Sequence, residues 1–267
     1  MLVIISEMCD INGINYRLNV AGAGETMVLL HGGHTNLDIW EDQIAYFVQH
    51  YRVIAYDQRG YGHTDTPSKS FSYEEDLRNI LNHFDVDKAI LVGASFGGSV
   101  AIDFTLKYPD QVKALVLAGP AVSGKKIPFR MNVESMKNYI TAKKKGIHTA
   151  AAKFEQNRYW SYFIPKQSDK RQKFMDIYKA NKAFYTWNMN LAKKLQPPAS
   201  SRLSEIQVPT LIIEPVDDLP FNKTTCKMLE KSIKNSILIQ LHDTGHLPNL
   251  EQPAKFNEAV YSWLQRL

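Results

Sequence analysis

Ser95 stands in the stretch Leu91-Val92-Gly93-Ala94-Ser95-Phe96-Gly97-Gly98-Ser99-Val100, between a short apolar run and a segment of helical period that stops at Pro109. A Gly-rich turn between a strand and a helix has two chemical uses: it cradles a phosphate or it presents a nucleophile. A phosphate loop of the Walker type needs Lys-Ser/Thr after its second glycine, and here Gly98-Ser99 carries no lysine. A dinucleotide fingerprint needs glycine at its third place, where Ser95 stands. Both phosphate readings fail. The pattern Gly93-x-Ser95-x-Gly97 fits a nucleophile held at a sharp bend, because so tight a turn presses the residues two positions away against backbone and only glycine leaves room. The same turn puts the Phe96 N–H at a helix N-terminus, aimed where a developing oxyanion would sit.

A serine hydroxyl is a poor nucleophile near neutral pH unless a base takes its proton and a third group holds that base. Of the eight histidines, His246 has the best setting, in Leu241-His242-Asp243-Thr244-Gly245-His246, after the last strand-like run and before the last helix. Asp217-Asp218 follow the run Pro209-Thr210-Leu211-Ile212-Ile213, which puts them at the same edge of a sheet. Ser95, Asp218 and His246 are therefore the expected catalytic residues, with Asp217 the alternative acid. His31 and His34 have a spacing that a metal could use, but no third ligand cluster accompanies them, and no metal or cofactor is expected. Cys9 and Cys226 are too few for a disulfide framework and are read as buried thiols.

These residues need a scaffold of alternating elements. Asn12-Gly13 between two strand-like runs predicts an opening hairpin. The runs TMVLL, YRVIAY, KAILVG, KALVLAG, PTLIIE and SILIQL are mostly unbroken by polar residues, as in strands covered on both faces. Helical segments lie between them, so the fold class is α/β, a mostly parallel central sheet with helices on both faces. From Ser123 to Ser200 no strand is evident. Phe174, Ile177, Tyr178, Phe184, Trp187, Leu191 and Leu195 suit one face of a helix ended by Pro197-Pro198. The expected division is a core of residues 1–122 and 201–267 with a helical cap, 123–200, inserted in it. Phe174, Tyr178, Phe184 and Trp187 are read as packing residues before pocket-lining ones.

Charge sorts along that boundary. Residues 123–200 hold 17 Lys plus Arg against 4 Asp plus Glu, and the remainder holds 15 against 23, within a chain whose net charge is +5. The lysines are dispersed and no recognition motif accompanies them, which speaks against nucleic acid as a partner. A solvated helical face is the favoured reading, attraction of anionic substrates the weaker one. Ala142-Lys143-Lys144-Lys145-Gly146 reads as a helix C-terminus with a left-handed glycine cap. The 267 residues, 44% hydrophobic, with mean hydropathy −0.30, exclude a disordered chain. The first residues, MLVIISEMCD, have neither a basic region nor a long apolar run, so no leader or membrane insertion is expected and a cytoplasmic location is.

The chain resembles the α/β-hydrolase superfamily from about Asn12 to Leu267. The likeness is carried by the Ser95 elbow, by His31-Gly32-Gly33, by Asp57-Gln58-Arg59-Gly60-Tyr61-Gly62, and by Gly245-His246 followed by Glu251-Gln252-Pro253. It implies the α/β-hydrolase fold with a helical cap and a second oxyanion donor, the Gly33 amide, beside that of Phe96. Asp57 and Arg59 are expected to lock their loop. Family members usually carry glycine where this chain has Pro215, which keeps Asp217 open as the acid. Serine at the elbow speaks against epoxide opening and halide displacement, which use an aspartate there, and Phe96 in place of tryptophan speaks against proline-releasing peptidases. The resemblance implies a small ester or lactone as substrate, cleaved through an acyl-enzyme. Carbon-carbon bond hydrolases, cofactor-free haloperoxidases, aminopeptidases and slow-turnover small-molecule receptors or signalling proteins are the alternatives.

Overall fold

Asn12 and Gly13 adopt φ values of 56° and 77°, the left-handed pair that a two-residue hairpin turn requires. They join β1 (Glu7–Ile11) to β2 (Ile14–Ala21), with Ile11 opposite Ile14. The structure is a computed structural model that describes residues 6–267. Met1 to Ile5, where the reading of a leader or span begins, lie outside the described residues. Among the described residues no helix is long and apolar enough to cross a membrane.

Six further strands complete the sheet: β3 (Thr26–Leu30), β4 (Arg52–Tyr56), β5 (Ala89–Ala94), β6 (Val112–Ala118), β7 (Thr210–Pro215) and β8 (Ser236–Leu241). Their order is β1-β2-β4-β3-β5-β6-β7-β8, antiparallel at the β1 and β2 edge and parallel from β4 to β8. Side chains alternate across the sheet. Met27, Leu29, Val53, Val92 and Val116 face one core, with α1 (Glu41–Phe47) and α9 (Pro253–Leu264) over them. Val28, Leu30, Ile54, Leu91 and Leu115 face the other, beneath α2 (Tyr73–His83), α3 (Phe96–Lys107) and α7 (Pro220–Ser232). Burial of both faces explains why these strands read as unbroken apolar runs. Because β3, β5, β7 and β8 are parallel, the loops that leave them share one edge, and these loops carry Gly33, Ser95, Asp218 and His246.

Between β6 and β7 the chain forms α4 (Phe129–Lys145), α5 (Ile147–Gln156) and α6 (Ser168–Ala180), followed by 3₁₀ turns. The single helix expected to run on to Leu195 does not exist: α6 stops at Ala180 and two 3₁₀ turns, Asn181–Tyr185 and Met189–Leu191, follow. Tertiary ties override the helical period here. Asn181 donates to the carbonyls of Ile177 and His34 and accepts from Gly62 N–H, while Trp187 packs on Gly60 and donates to its carbonyl at 3.3 Å. Ala192 then pairs with Phe71 in an isolated parallel bridge. Trp187 thus packs on Gly60, Phe71 and Phe184, while Phe174 packs among Phe154, Phe163 and Tyr178. Gly146 ends α4 with φ 83° and ψ 162°, an extended left-handed conformation rather than the expected αL cap, because α5 begins at the next residue. Cys226 is buried, but Cys9 is half-exposed, with its Sγ 3.4 Å from His83 Nε2. Pro248–Glu251 forms the short α8 that turns the chain from His246 toward α9.

Candidate active site

The turn at Ser95 has φ 50° and ψ −114°, a strained conformation for a residue with a side chain. Three contacts hold it: Ser95 N–H donates to Ala118 C=O at 2.9 Å, and Ser95 C=O accepts from Ala121 N–H at 2.8 Å and Ser99 N–H at 3.3 Å. Glycine flanks it for lack of space. A Cβ at Gly93 would meet the backbone of Gly97 and Gly98, and one at Gly97 would overlap the carbonyls of Leu30 and His31. The strain exposes the hydroxyl on the edge of the sheet, half-buried and free of its own backbone.

Ser95 Oγ lies 2.8 Å from His246 Nε2, and His246 Nδ1 lies 2.7 Å from Asp218 Oδ2. Asp218 is buried, and its other oxygen accepts from Leu219 N–H and Asn222 Nδ2, each at 2.7 Å. The neighbouring Asp217 is exposed, hydrogen-bonds Lys166 Nζ at 2.7 Å and does not reach the imidazole. Ser95, His246 and Asp218 therefore come together in one hydrogen-bonded line, and Asp217 stands outside it. Asn222 was not foreseen. Its Nδ2 also lies 3.1 Å from His246 Nδ1, and its signal in the sequence was the Leu219-Pro220 helix start that sets a side chain four residues on against Asp218.

The His246 loop is tied from both sides. His246 N–H donates to Tyr162 C=O at 2.8 Å, a Cβ on Gly245 would overlap that same carbonyl, and Glu251 accepts from Leu247 N–H at 3.4 Å. Burial raises the Glu251 carboxyl above its usual range, while hydrogen bonds from the Gly245 and Leu247 amides act against that rise.

Facing the serine, the loop after β3 is shaped by a histidine with a structural task. His31 is buried, its Nδ1 lies 2.8 Å from Gly32 C=O, and its Nε2 accepts from Gln58 N–H at 3.0 Å. That acceptor role requires the neutral ring, and burial pushes its pKa down to about 4. Asp57 braces the same region by accepting from Leu37 and His63 N–H, both at 2.8 Å. Arg59 pairs with Asp76. A Cβ on Gly32 would come within 3.2 Å of the Ser95 side chain. Among the described residues neither Gly33 N–H nor Phe96 N–H has an acceptor in the protein, so both remain available to an oxygen above Ser95.

Aromatic rings from the segment between β6 and β7 close over this edge. Phe163 lies 4.7 Å, ring to ring, from His246 and 5.9 Å from His34, and Phe154 and Tyr178 also pack on His34. Burial and the charge of His246 lower the His34 pKa to about 4. Its Nδ1 lies 3.3 Å from the Tyr185 hydroxyl, which joins Tyr178 and Asn138 in a buried polar chain. His34 thus serves the packing of this wall, and no group of three or more metal-ligating side chains occurs among the described residues. A separate cleft of about 470 Å³ opens beside the His246 loop, walled by Tyr162, Gly245, Lys166 and Asp217, and Ser95 is not part of its lining.

The family model for the alpha/beta hydrolase fold matches residues 25–253. A 2-hydroxy-6-oxo-6-(2'-aminophenyl)hexa-2,4-dienoic acid hydrolase of Metapseudomonas resinovorans is 25% identical over 98% of this chain and 91% of its own. The 3-oxoadipate enol-lactonase 2 of Acinetobacter baylyi is 25% identical over 87% of this chain and 85% of its own. Among solved structures, the enol-lactonase from Burkholderia xenovorans LB400 superposes with a TM-score of 0.81, at 21% identity, over 97% of this chain and all of that one.

Proposed function

The chain belongs to the alpha/beta hydrolase family, and from that premise we propose that it is a serine hydrolase of small esters or lactones, acting through an acyl-enzyme on Ser95. The observation that carries this reading is the continuous line from Ser95 Oγ through His246 to Asp218, at 2.8 and 2.7 Å. In the proposed mechanism Ser95 Oγ attacks the carbonyl carbon while His246 Nε2 takes its proton. Asp218 holds the proton of Nδ1 and so fixes the tautomer that leaves Nε2 free to accept. The carbonyl oxygen, now anionic, is met by the amides of Gly33 and Phe96, each such donor being worth about 3 kcal/mol or more in the transition state. Collapse expels the alkoxide, which takes the proton back from His246. Water then attacks the acyl-serine, gives its proton to His246, and the second collapse returns that proton to Ser95 Oγ. These steps use no cofactor.

Residues 123–200 serve, in this reading, as a cap over a core formed by 1–122 and 201–267. Phe154, Phe163 and Tyr178, packed around His34 and His246, give the acyl side an apolar wall and favour a hydrophobic acyl group. The enol-lactonase and the oxo-dienoic acid hydrolase among the relatives support a lactone and an unsaturated oxo acid as the first two substrate classes to assay. Multiple-turnover hydrolysis of p-nitrophenyl acetate and butyrate, lost in Ser95→Ala, tests the proposal. Ligand-induced stabilisation without turnover would instead mark a receptor on the same fold.

A further inference from the structure

Helix α4 has two apolar faces, and only one of them is used. Met131, Asn138 and Ala142 turn inward, where Asn138 and Ala142 are buried and Met131 packs on the core. On the opposite side Phe129, Met136 and Ile140 are 84%, 57% and 44% exposed, and Ile127 just before the helix is 47% exposed. At 100° per residue, positions i, i+7 and i+11 fall within about 40° of one another, so these three side chains form a narrow stripe along the helix. Cations border it. Lys143 lies on one side and Arg130, Lys137 and Lys144 on the other, by the same projection. The only acidic residue of the helix, Glu134, is taken by Lys137 and Asn157.

Part of the basic segment answers to the core. Lys166, Lys170 and Lys173 pair with Asp217, Asp42 and Glu41, which accounts for part of its charge as attachment to an acidic body. Among the described residues Lys126, Arg130, Lys143, Lys144 and Lys145 have no carboxylate partner. Five cations without a carboxylate partner therefore lie on or next to the helix that carries this exposed apolar stripe.

We propose that the outer face of α4, with Ile127, docks on an anionic lipid surface, lying in the plane of the interface rather than spanning it. An exposed apolar stripe flanked by Lys and Arg is the physical signature of such a helix: the apolar side chains enter the headgroup boundary and the cations meet anionic headgroups. A second copy of this chain is the poorer occupant, because pairing this face with itself would oppose two sets of unpaired lysines. Docking here would bring residues 123–200 against the lipid, the segment whose Tyr162 and Phe163 rings pack on His246. The inference does not depend on the chemistry proposed for Ser95.

The test is co-sedimentation of the full chain with large vesicles of phosphatidylcholine alone and of phosphatidylcholine with about a third phosphatidylglycerol. The expected result is binding to the anionic vesicles only, weakened by salt, with partitioning lowered about fivefold for each cation removed, as in Lys143→Gln and Lys144→Gln. Phe129→Ser with Met136→Ser should also weaken binding severalfold while the thermal midpoint stays near that of the parent, since these side chains make little packing contact. No sedimentation with anionic vesicles at low salt overturns the proposal. So does binding that is unchanged in the serine double variant. A dimer in solution that becomes a monomer in Phe129→Ser assigns the stripe to a second copy and overturns it as well.

Discussion

Replacing Asp218 by asparagine should cripple turnover, while the same change at Asp217 should leave it nearly intact. The reason lies in the hydrogen-bond inventory around Asp218. One oxygen accepts from two donors, Leu219 N–H and Asn222 Nδ2, and the other faces His246 Nδ1. An asparagine keeps its oxygen toward the two donors and turns its amide NH₂ to Nδ1, which must then accept. That tautomer carries its proton on Nε2, pointing at Ser95, and cannot take the serine proton. In serine triads such a tautomer error costs about 10⁴ in kcat, or about 5 kcal/mol. KM should change little, because Asp218 is buried behind the imidazole. Asp217→Asn removes only an exposed pair with Lys166, worth about 1 kcal/mol or less to stability and nothing to the tautomer. Steady-state hydrolysis of p-nitrophenyl butyrate by both variants, with circular dichroism to establish folding, reads out the difference. Comparable kcat losses in the two, or a greater loss in Asp217→Asn, would refute the reasoning.

Three further outcomes are expected. Asn222→Ala removes one of the two donors that aim Asp218, and kcat should fall about tenfold with KM within about twofold, measured on the same ester. Gly97→Ala forces a methyl group into the carbonyls of Leu30 and His31, and denaturant unfolding should show a loss of about 3 kcal/mol or more. His31 has a folded pKa of about 4 against an ordinary 6.5, so the unfolded chain takes up a proton between these values that the folded chain refuses. The stability that neutral His31 supplies is present above about pH 6.5 and is lost toward pH 4, by about 3 kcal/mol in all. His31→Gln lacks that term, so the stability gap between parent and variant, from urea melts near pH 7 and near pH 4, should shrink by about that amount.

The fold was legible because its signals are local and repeated. Unbroken apolar runs marked strands buried on both faces, Asn12-Gly13 marked the hairpin, and glycines around Ser95 marked a turn where a Cβ has no room. The segment after α6 was misread because its period is set by local sequence but its path by distant partners: Asn181 bonds to loops after β3 and β4, and Trp187 rests on Gly60. In the candidate site, chain order and loop position suggested Ser95, Asp218 and His246, but adjacency alone left Asp217 and Asp218 open. Only burial and the direction of the side chains separate them. The Tyr162 carbonyl was invisible because it acts through a contact between segments far apart in sequence, whereas Asn222 had only the local signal of a helix start four residues from Asp218.

The central claim is that Ser95 is the nucleophile, and the most direct measurement is peptide mapping by mass spectrometry after treatment with a fluorophosphonate probe. A single adduct on Ser95, its formation abolished in Ser95→Ala and strongly slowed in His246→Ala, is the predicted result. A folded protein that acquires no adduct, or an adduct on another residue whose removal abolishes ester hydrolysis while Ser95→Ala does not, would contradict it.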